Sequence, residues 1–229
     1  LTWAWVCVQG AFGALTVTMK LFPAIVTLHL LFGLGLLMLL RVQSVQYARG
    51  DGAWPEQTLP RASVLALWAV FLGLWLQIAL GGWVSTNYAV LACSEFPTCQ
   101  GGWWPPMDFH AGFQLWRELG QDHRGEAIPF AALTPIHMAA MLGLAWHLWR
   151  QAPSLRPQTR WLALGALWVL LSGLSNVVLD WPLLAAVAHT GGAAALVVAF
   201  TGLLLSVRVQ GAGAASSPDH PPRTAGRTA

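Results

Sequence analysis

The 229-residue chain is rich in apolar residues and poor in charge: 56% of its residues are hydrophobic, 9% are charged, and the formal net charge is +3. Soluble domains carry about a quarter charged residues, so this composition excludes a water-exposed globular surface and indicates a membrane protein. Fourteen tryptophans agree, because Trp favours the interface between lipid and water. The small net charge, without a basic run, argues against a nucleic-acid partner.

Six segments are long and apolar enough to cross a bilayer, since a spanning helix needs about 20 mainly apolar residues. They cover residues 1–19, 22–40, 62–84, 129–149, 160–179 and 182–207. The sequence therefore predicts an all-α integral membrane protein, a bundle of transmembrane helices. The chain begins at Leu1 inside the first segment, and we interpret residue 1 as a point within a longer protein. After residue 207 the composition is too poor in apolar residues to pack, which predicts a disordered tail over 208–229.

The basic residues orient the predicted bundle. Nine of them fall in the 41–61 loop, the 150–160 loop and the tail, against three on the other side. Cytoplasmic loops of membrane proteins carry an excess of Lys and Arg, so these loops and the tail are predicted to be cytoplasmic. The long 85–128 loop then faces the periplasm, and the protein is predicted to pass several times through a bacterial inner membrane.

The 85–128 loop contains two of the three cysteines, Cys93 and Cys99, separated by five residues. The periplasm is oxidising, so a nearby pair of cysteines persists there as a disulfide. We predict a Cys93–Cys99 disulfide, with two free thiols as the alternative, and interpret Cys7 as a packing residue within a span. Farther along the loop, the apolar spacing over 107–120 predicts a short helix on the outer surface.

Three histidines, His29, His137 and His189, lie at one predicted depth inside the bilayer. Each follows, by six to eight residues, a proline near the start of a span that enters from outside, which places it about 9–12 Å below the outer helix end at 1.5 Å per residue. An ionisable side chain in the bilayer faces the bundle interior by default.

Imidazole is an axial ligand of heme iron, and helix bundles build such sites from facing helices. We therefore predict that His29, His137 and His189 bind heme iron. Hydrogen-bonded packing residues and a proton path are the alternatives. A zinc site is weaker, because no intramembrane carboxylate accompanies these histidines in the sequence.

Residues 9–33 and 172–192 share one plan: a span end with small residues, a very short outer turn, a proline, and a histidine two turns later. This plan predicts two related bundle halves, each with a pair of histidines. His137 and His189 then belong to the second half, and His29 to the first, with its partner before residue 1.

Three stretches resemble the heme A synthases: QGAFGALTV followed by IVTLHLLFG, then LGGWVSTNYAVLACSEFPTCQGGWWPP, then AVAHTGGAAAL. The similarity covers nearly everything up to residue 207. It implies eight helices in two four-helix halves, of which this chain holds six. Residues 1–40 are then the last two helices of the first half, 41–61 a cytoplasmic loop, and 62–207 the second half with the outer loop 85–128.

The resemblance also implies the chemistry. A b-type heme is held between histidines of the second half, and heme O is the substrate in the first half, where its ring methyl is oxidised to a formyl group to give heme A. Matched by position, His29 corresponds to a first-half heme histidine and His189 to a second-half one. Cys93 and Cys99 correspond to the outer-loop pair.

Two departures from the family pattern bear on activity. The first two helices of the family, with the glutamate and histidine proposed to act on the substrate, are missing, so no catalytic residue is assigned in this chain and it is expected to be inactive alone. Where the family has an IHxxHR pattern, the chain reads IHMAAML, with Ala140 and Met141 at the His-Arg positions. Either His137 takes over as the ligand or the second heme site is lost.

The leading interpretation is a partial or divergent heme A synthase, an integral membrane oxidoreductase that handles heme O and heme A among lipid. Heme O synthase and cytochrome oxidase assembly factors are the protein partners that this implies, and a homo-oligomer stays open. The second interpretation is a non-catalytic membrane protein that binds heme or carries electrons. A transporter is disfavoured, because discontinuous spans and intramembrane carboxylates are not evident in the sequence.

Overall fold

The computed structural model describes residues 1–87, 101–102, 133–179 and 181–210. In these residues the chain forms six α-helices at the predicted places. They are α1 Thr2–Thr18, α2 Pro23–Gly50, α3 Arg61–Thr86, α4 Leu133–Gln151, α5 Arg156–Val178 and α6 Leu183–Leu205. Two short strands, β1 Gln57–Leu59 and β2 Val207–Val209, and a 3-10 turn at Pro153–Leu155 complete the regular structure of this part.

Among the described residues, four helices are long and apolar enough to cross a membrane: α2, α3, α6, and α5 together with the turn before it. The helices α1 and α4 fall below that measure. The predicted helical membrane protein is thus confirmed, and six helices occur where six spans were predicted.

Helix α2 is longer than the apolar run that predicted it. It was expected to end at residue 40, but it continues to Gly50. Its last turns remain helical because they are amphipathic: Val45 is fully buried, whereas Gln46 and Tyr47 are exposed. The predicted 41–61 loop is therefore shorter, and part of it is helix.

The helices pack mainly as neighbours along the chain, with α2 as the link between α1 and the rest. Helix α2 contacts α1, α3 and α6, and α6 packs on α5. The core lies among α3, α4, α5 and α6, around Leu67, Met141, Leu162 and Phe200, while no residue of α1 is buried. We call the end with the two tight turns, at Leu21 and Trp181, the turn end. The opposite end, where α2 ends and α3 begins, is the Arg-rich end.

The two strands pair in parallel at the Arg-rich end, with Gln57 opposite Val207 and Leu59 opposite Val209. Regular structure therefore extends past the boundary predicted at 208, because Arg208 and Val209 belong to β2. Composition treated the tail as one block and could not detect that its first residues complete a strand pair. Residues 211–229, Cys93 with Cys99, and the predicted helix over 107–120 lie outside the described residues.

Candidate functional site

Each of the three predicted ligand histidines lies against a glycine of the helix that precedes its own. The pairs are Gly13 with His29, Gly73 with His137 and Gly173 with His189. A Cβ atom added to any of these glycines would come within 3.0 to 3.2 Å of an atom of the facing imidazole ring. The missing side chain therefore makes the room that each ring occupies between two helices.

The His189 ring is fixed through one of its nitrogens. Its Nδ1 lies 3.0 Å from the carbonyl oxygen of Val169 and 3.2 Å from Oγ of Ser172, both on α5. A carbonyl oxygen only accepts hydrogen bonds, so Nδ1 carries the proton and donates. The lone pair is then on Nε2, and proteins commonly orient metal-ligating histidines in this way. His189 thus fits an iron ligand that binds through Nε2.

The His137 ring is fixed through the opposite nitrogen. Its Nε2 lies 3.0 Å from the carbonyl oxygen of Val70 on α3, so Nε2 carries the proton. Its Nδ1 is buried and has no hydrogen-bond partner in the part of the chain that the structure describes. His137 therefore presents a free lone pair on Nδ1, and ligation through Nε2 requires its hydrogen bond to Val70 to break.

The His29 ring is the least constrained of the three. Within the described ranges its buried Nδ1 has no hydrogen-bond partner. Gln9 on α1 instead donates from Nε2 to the backbone carbonyl of His29 at 3.1 Å, and the Oε1 of Gln9 is buried without a partner among the described residues. In this part of the chain, the α1–α2 interface thus holds two polar atoms without partners, which fits a further polar or metal-bearing group.

Positions 140 and 141 differ in burial. Met141 is fully buried in the core, whereas Ala140 is exposed. A side chain at 140 projects away from the bundle interior, so this position does not suit a ligand between helices. On α4 the residue that suits one is His137, which is half-buried and faces α3.

The three histidines do not form a joint metal centre of protein side chains. Among the described residues, no group of three or more His, Cys, Asp and Glu side chains is placed to hold a metal ion. Each helix pair presents one imidazole instead. That arrangement fits a prosthetic group such as heme, whose ring already surrounds the iron and which needs axial ligands only.

The sequence analysis missed the residues that position the rings. Gly13, Gly173, Val169 and Ser172 were not singled out, although one signal was available. His29 and His189 each follow a glycine by 16 residues, across the same tight turn. The hydrogen-bond partners of His189 had no such signal, because they depend on how α6 is rotated against α5.

Comparison with known proteins gives consistent matches. A family model described as COX15-CtaA, cytochrome oxidase assembly protein, matches residues 1–201. The chain is 36% identical to the heme A synthase of Shewanella oneidensis over 199 residues, which are 83% of this chain and 60% of that protein. It is 30% identical to the heme A synthase of Methylobacterium nodulans over 190 residues, 79% of this chain and 52% of that protein. The chain thus spans about half to three-fifths of the length of these relatives.

Proposed function

Because this chain belongs to the COX15-CtaA family of cytochrome oxidase assembly proteins, we propose that it acts in heme A biosynthesis as the heme-binding part of a membrane oxidoreductase. The proposed reaction oxidises the ring methyl of heme O to a formyl group. The sequence identity of the chain to two heme A synthases, 36% and 30%, supports this proposal. The observation that carries it is the His189 imidazole, which is held at Nδ1 by α5 and therefore has its lone pair on Nε2.

We propose that a b-type heme would be held among α3 to α6, by Nε2 of His189 and by His137. The heme supplies a redox-active iron that accepts and donates single electrons. The chain supplies the geometry: the carbonyl of Val169 and the hydroxyl of Ser172 hold the His189 ring, and Gly173 lets it approach α5. His189 is the better-supported ligand, because His137 has its proton on the nitrogen that usually binds iron.

The α1–α2 pair is the proposed place of the substrate, heme O. Its candidate contact is His29, whose buried Nδ1 has no partner among the described residues. The Oε1 of Gln9, which also has no partner in the described part of the chain, is a second polar atom at this interface. We assign no catalytic residue within this chain.

In the membrane, we propose that the Arg-rich end faces the cytoplasm of a bacterium and the turn end faces the periplasm. The nine-to-three distribution of basic residues supports this orientation. Cys93 and Cys99 then lie in an oxidising compartment, where we propose that they form a disulfide. Thiol labelling of intact spheroplasts should require a reductant first; labelling without one would exclude the bridge.

Pyridine hemochrome analysis of the purified protein tests the function. Bound heme O or heme A would support a synthase, whereas heme B alone would support the alternative of a non-catalytic heme carrier. No heme in any preparation would exclude both. His147→Gln is a matched control for the histidine variants, because His147 contacts Ser63 at 3.3 Å near the Arg-rich end, away from the proposed ligands.

The proposed function also implies protein partners. Heme O synthase would supply the substrate, and cytochrome oxidase assembly factors would receive the product. Co-purification from mildly solubilised membranes tests both, and mass measurement of the same sample tests whether the protein forms a homo-oligomer.

A further inference from the structure

We propose that the Arg-rich end carries a binding site for the phosphate of an anionic phospholipid, formed by Arg41 and Trp54 beside an apolar cavity for the acyl chains. This site is separate from the histidines. Its test uses no heme readout, so it stands or falls independently of the proposed function.

The Arg41 guanidinium packs on the Trp54 ring, and no carboxylate in the described part of the chain forms an ion pair with it. Its Cζ lies 4.8 Å from the centroid of the Trp54 ring. A Cβ atom on Gly202 of α6 would be 2.8 Å from Nη2 and 3.0 Å from Nε of Arg41, so the guanidinium lies against the α6 backbone. Its Nε is buried and has no hydrogen-bond partner in the described part of the chain.

Trp54 adds a second buried hydrogen-bond donor. Its indole Nε1 is buried and, within the described residues, also has no hydrogen-bond partner. A buried donor without an acceptor is costly, and a buried charge without a counter-charge is more so. An anion with several acceptor oxygens would satisfy both groups at once.

Two other arginines at the same end share one carboxylate. Arg49 lies 3.2 Å and Arg208 2.6 Å from the carboxylate of Glu56. No carboxylate among the described residues forms an ion pair with Arg41. Arg41 therefore differs from Arg49 and Arg208, because no carboxylate in the described residues forms an ion pair with it. It differs from the exposed Arg61 because its Nε is buried.

An apolar cavity of about 620 Å³ lies beside Arg41, between α2, α3 and α6. It is lined by Met38 and Val42, which precede Arg41 by three residues and follow it by one. Thr201 and Leu205, which precede Gly202 by one residue and follow it by three, also line it. Apart from Thr201, its described lining is apolar or aromatic.

Donors at the membrane boundary beside an apolar volume inside the bilayer match the two parts of a phospholipid. Basic pockets between transmembrane helices on the cytoplasmic side are known to bind anionic lipid head groups. A free phosphate would satisfy Arg41 and Trp54 but would leave the cavity without an occupant. The combination therefore favours a lipid.

The test compares lipid compositions. The purified protein is reconstituted into nanodiscs of phosphatidylcholine alone or mixed with phosphatidylglycerol, and retained lipid is measured by native mass spectrometry. We expect phosphatidylglycerol to be retained and to raise the melting temperature. In Arg41→Gln the retained phosphatidylglycerol should fall about tenfold, the effect of losing one charge-assisted hydrogen bond.

Two further variants keep the test decisive. Arg61→Gln removes the same charge from an exposed position at the start of α3, and it should retain the lipid. Trp54→Phe keeps the ring but removes the N–H, so it should weaken retention with little change in fold, even if Arg41→Gln fails to fold.

Equal losses in Arg41→Gln and Arg61→Gln would overturn the proposal, because surface charge alone would then explain the effect. The proposal would also be overturned if the two single variants, Trp54→Phe and Arg41→Gln, each retained as much phosphatidylglycerol as the unchanged protein. Stabilisation by inorganic phosphate in detergent, equal to that by phosphatidylglycerol, would show a site for free phosphate and not for a lipid.

Discussion

The α1–α2 pair and the α5–α6 pair have the same backbone plan, related by a shift of 160 residues. At the turn end, Leu21 and Trp181 adopt φ angles of 60° and 58°. Their N–H groups donate to the carbonyls of Thr16 and Asn176, at 2.8 and 2.7 Å. The contact between a glycine and a histidine recurs at the same shift, as Gly13 with His29 and Gly173 with His189. The internal repeat predicted from the sequence thus extends to individual hydrogen bonds of the backbone.

The side chains around the two histidines do not repeat. Where α5 has Ser172, whose hydroxyl contacts His189, α1 has Phe12. Phe12 stacks on Phe32 with ring centroids 4.9 Å apart and offers no hydrogen bond. His29 therefore lacks the partner that its counterpart has.

The comparison separates what the scaffold fixes from what individual side chains fix. The backbone places His29 and His189 at corresponding positions of their helix pairs. Of these two, His189 alone has a hydrogen bond from its ring that fixes the tautomer within the described residues. We infer that the α5–α6 pair suits a cofactor that stays bound, and that the α1–α2 pair suits a group that enters and leaves.

The largest expected effect separates the two histidines directly. His189→Ala should abolish the low-spin signal of the proposed b-type heme, because it removes a proposed ligand of the iron. His29→Ala should leave that signal intact. Absorption and electron paramagnetic resonance spectra of the purified variants measure both.

A result in which His29→Ala also removes the low-spin signal would break the comparison, since the two pairs would then share one heme. His137→Ala decides the opposite ligand in the same way: a preserved bis-histidine spectrum would show that His137 is a packing residue.

The next effect concerns the glycines. Gly173→Ala places a Cβ atom 3.0 Å from Cε1 of His189, so the ring has to move away from Val169, and heme affinity should fall by roughly tenfold. Alanine is the better helix former by about 0.5–1 kcal/mol, so a loss of heme would not come from a weaker helix. Heme content per protein is the measurement.

Gly13→Ala is the counterpart in the first pair and should spare the b-type heme. The matched controls are Gly191→Ala and Gly10→Ala, where an added Cβ meets nothing within 4 Å. If Gly191→Ala lowers heme content as much as Gly173→Ala does, the contact with the ring is not the cause.

These positions also show what sequence could and could not predict. Apolar runs located the six helices of the described residues, because burial in lipid demands them. The common depth of the three histidines, which rests on proline spacing, stays a prediction. Hydropathy predicted that α2 ends at residue 40, because it does not detect an amphipathic helix that continues beyond the apolar region. It could not predict the pairing of β1 with β2, which joins Gln57 to Val207 without any local pattern.

A smaller effect is expected at Ser172. In Ser172→Ala the His189 Nδ1 keeps its hydrogen bond to the Val169 carbonyl, so heme should still bind. The loss of the hydroxyl should shift the midpoint potential of the heme, because the partners of a ligating histidine tune its basicity. Redox titration measures the shift, and Ser172→Thr, which restores a hydroxyl, should reverse it. A variant with an unchanged potential would show that Ser172 only packs.

The smallest effect tests whether the two pairs depend on their connection at the Arg-rich end. Arg49 of α2 and Arg208 after α6 share the carboxylate of Glu56, and Arg49 also donates to the carbonyl of Leu205. The hydrogen bond from Arg208 holds the pKa of Glu56 below its usual value, and the charges of Arg208 and Arg49 act in the same direction. A carboxyl with a lowered pKa in the folded state stabilises the fold fully above its unfolded pKa. That contribution is lost as the pH falls through the folded value.

Glu56→Gln should therefore lower the melting temperature at about pH 7, and the difference from the unchanged protein should disappear as the pH falls through the lowered pKa of Glu56. The difference should be small and should shrink in high salt, because Glu56 is exposed to solvent. The control is Asp51→Asn. Asp51 is a nearby exposed carboxylate that forms no ion pair among the described residues. The heme spectrum should not change in Glu56→Gln, since the contacts that fix His189 lie within α5 and α6. A changed spectrum would show that the connection between the pairs shapes the heme site, and the two pairs could then no longer be treated as independent.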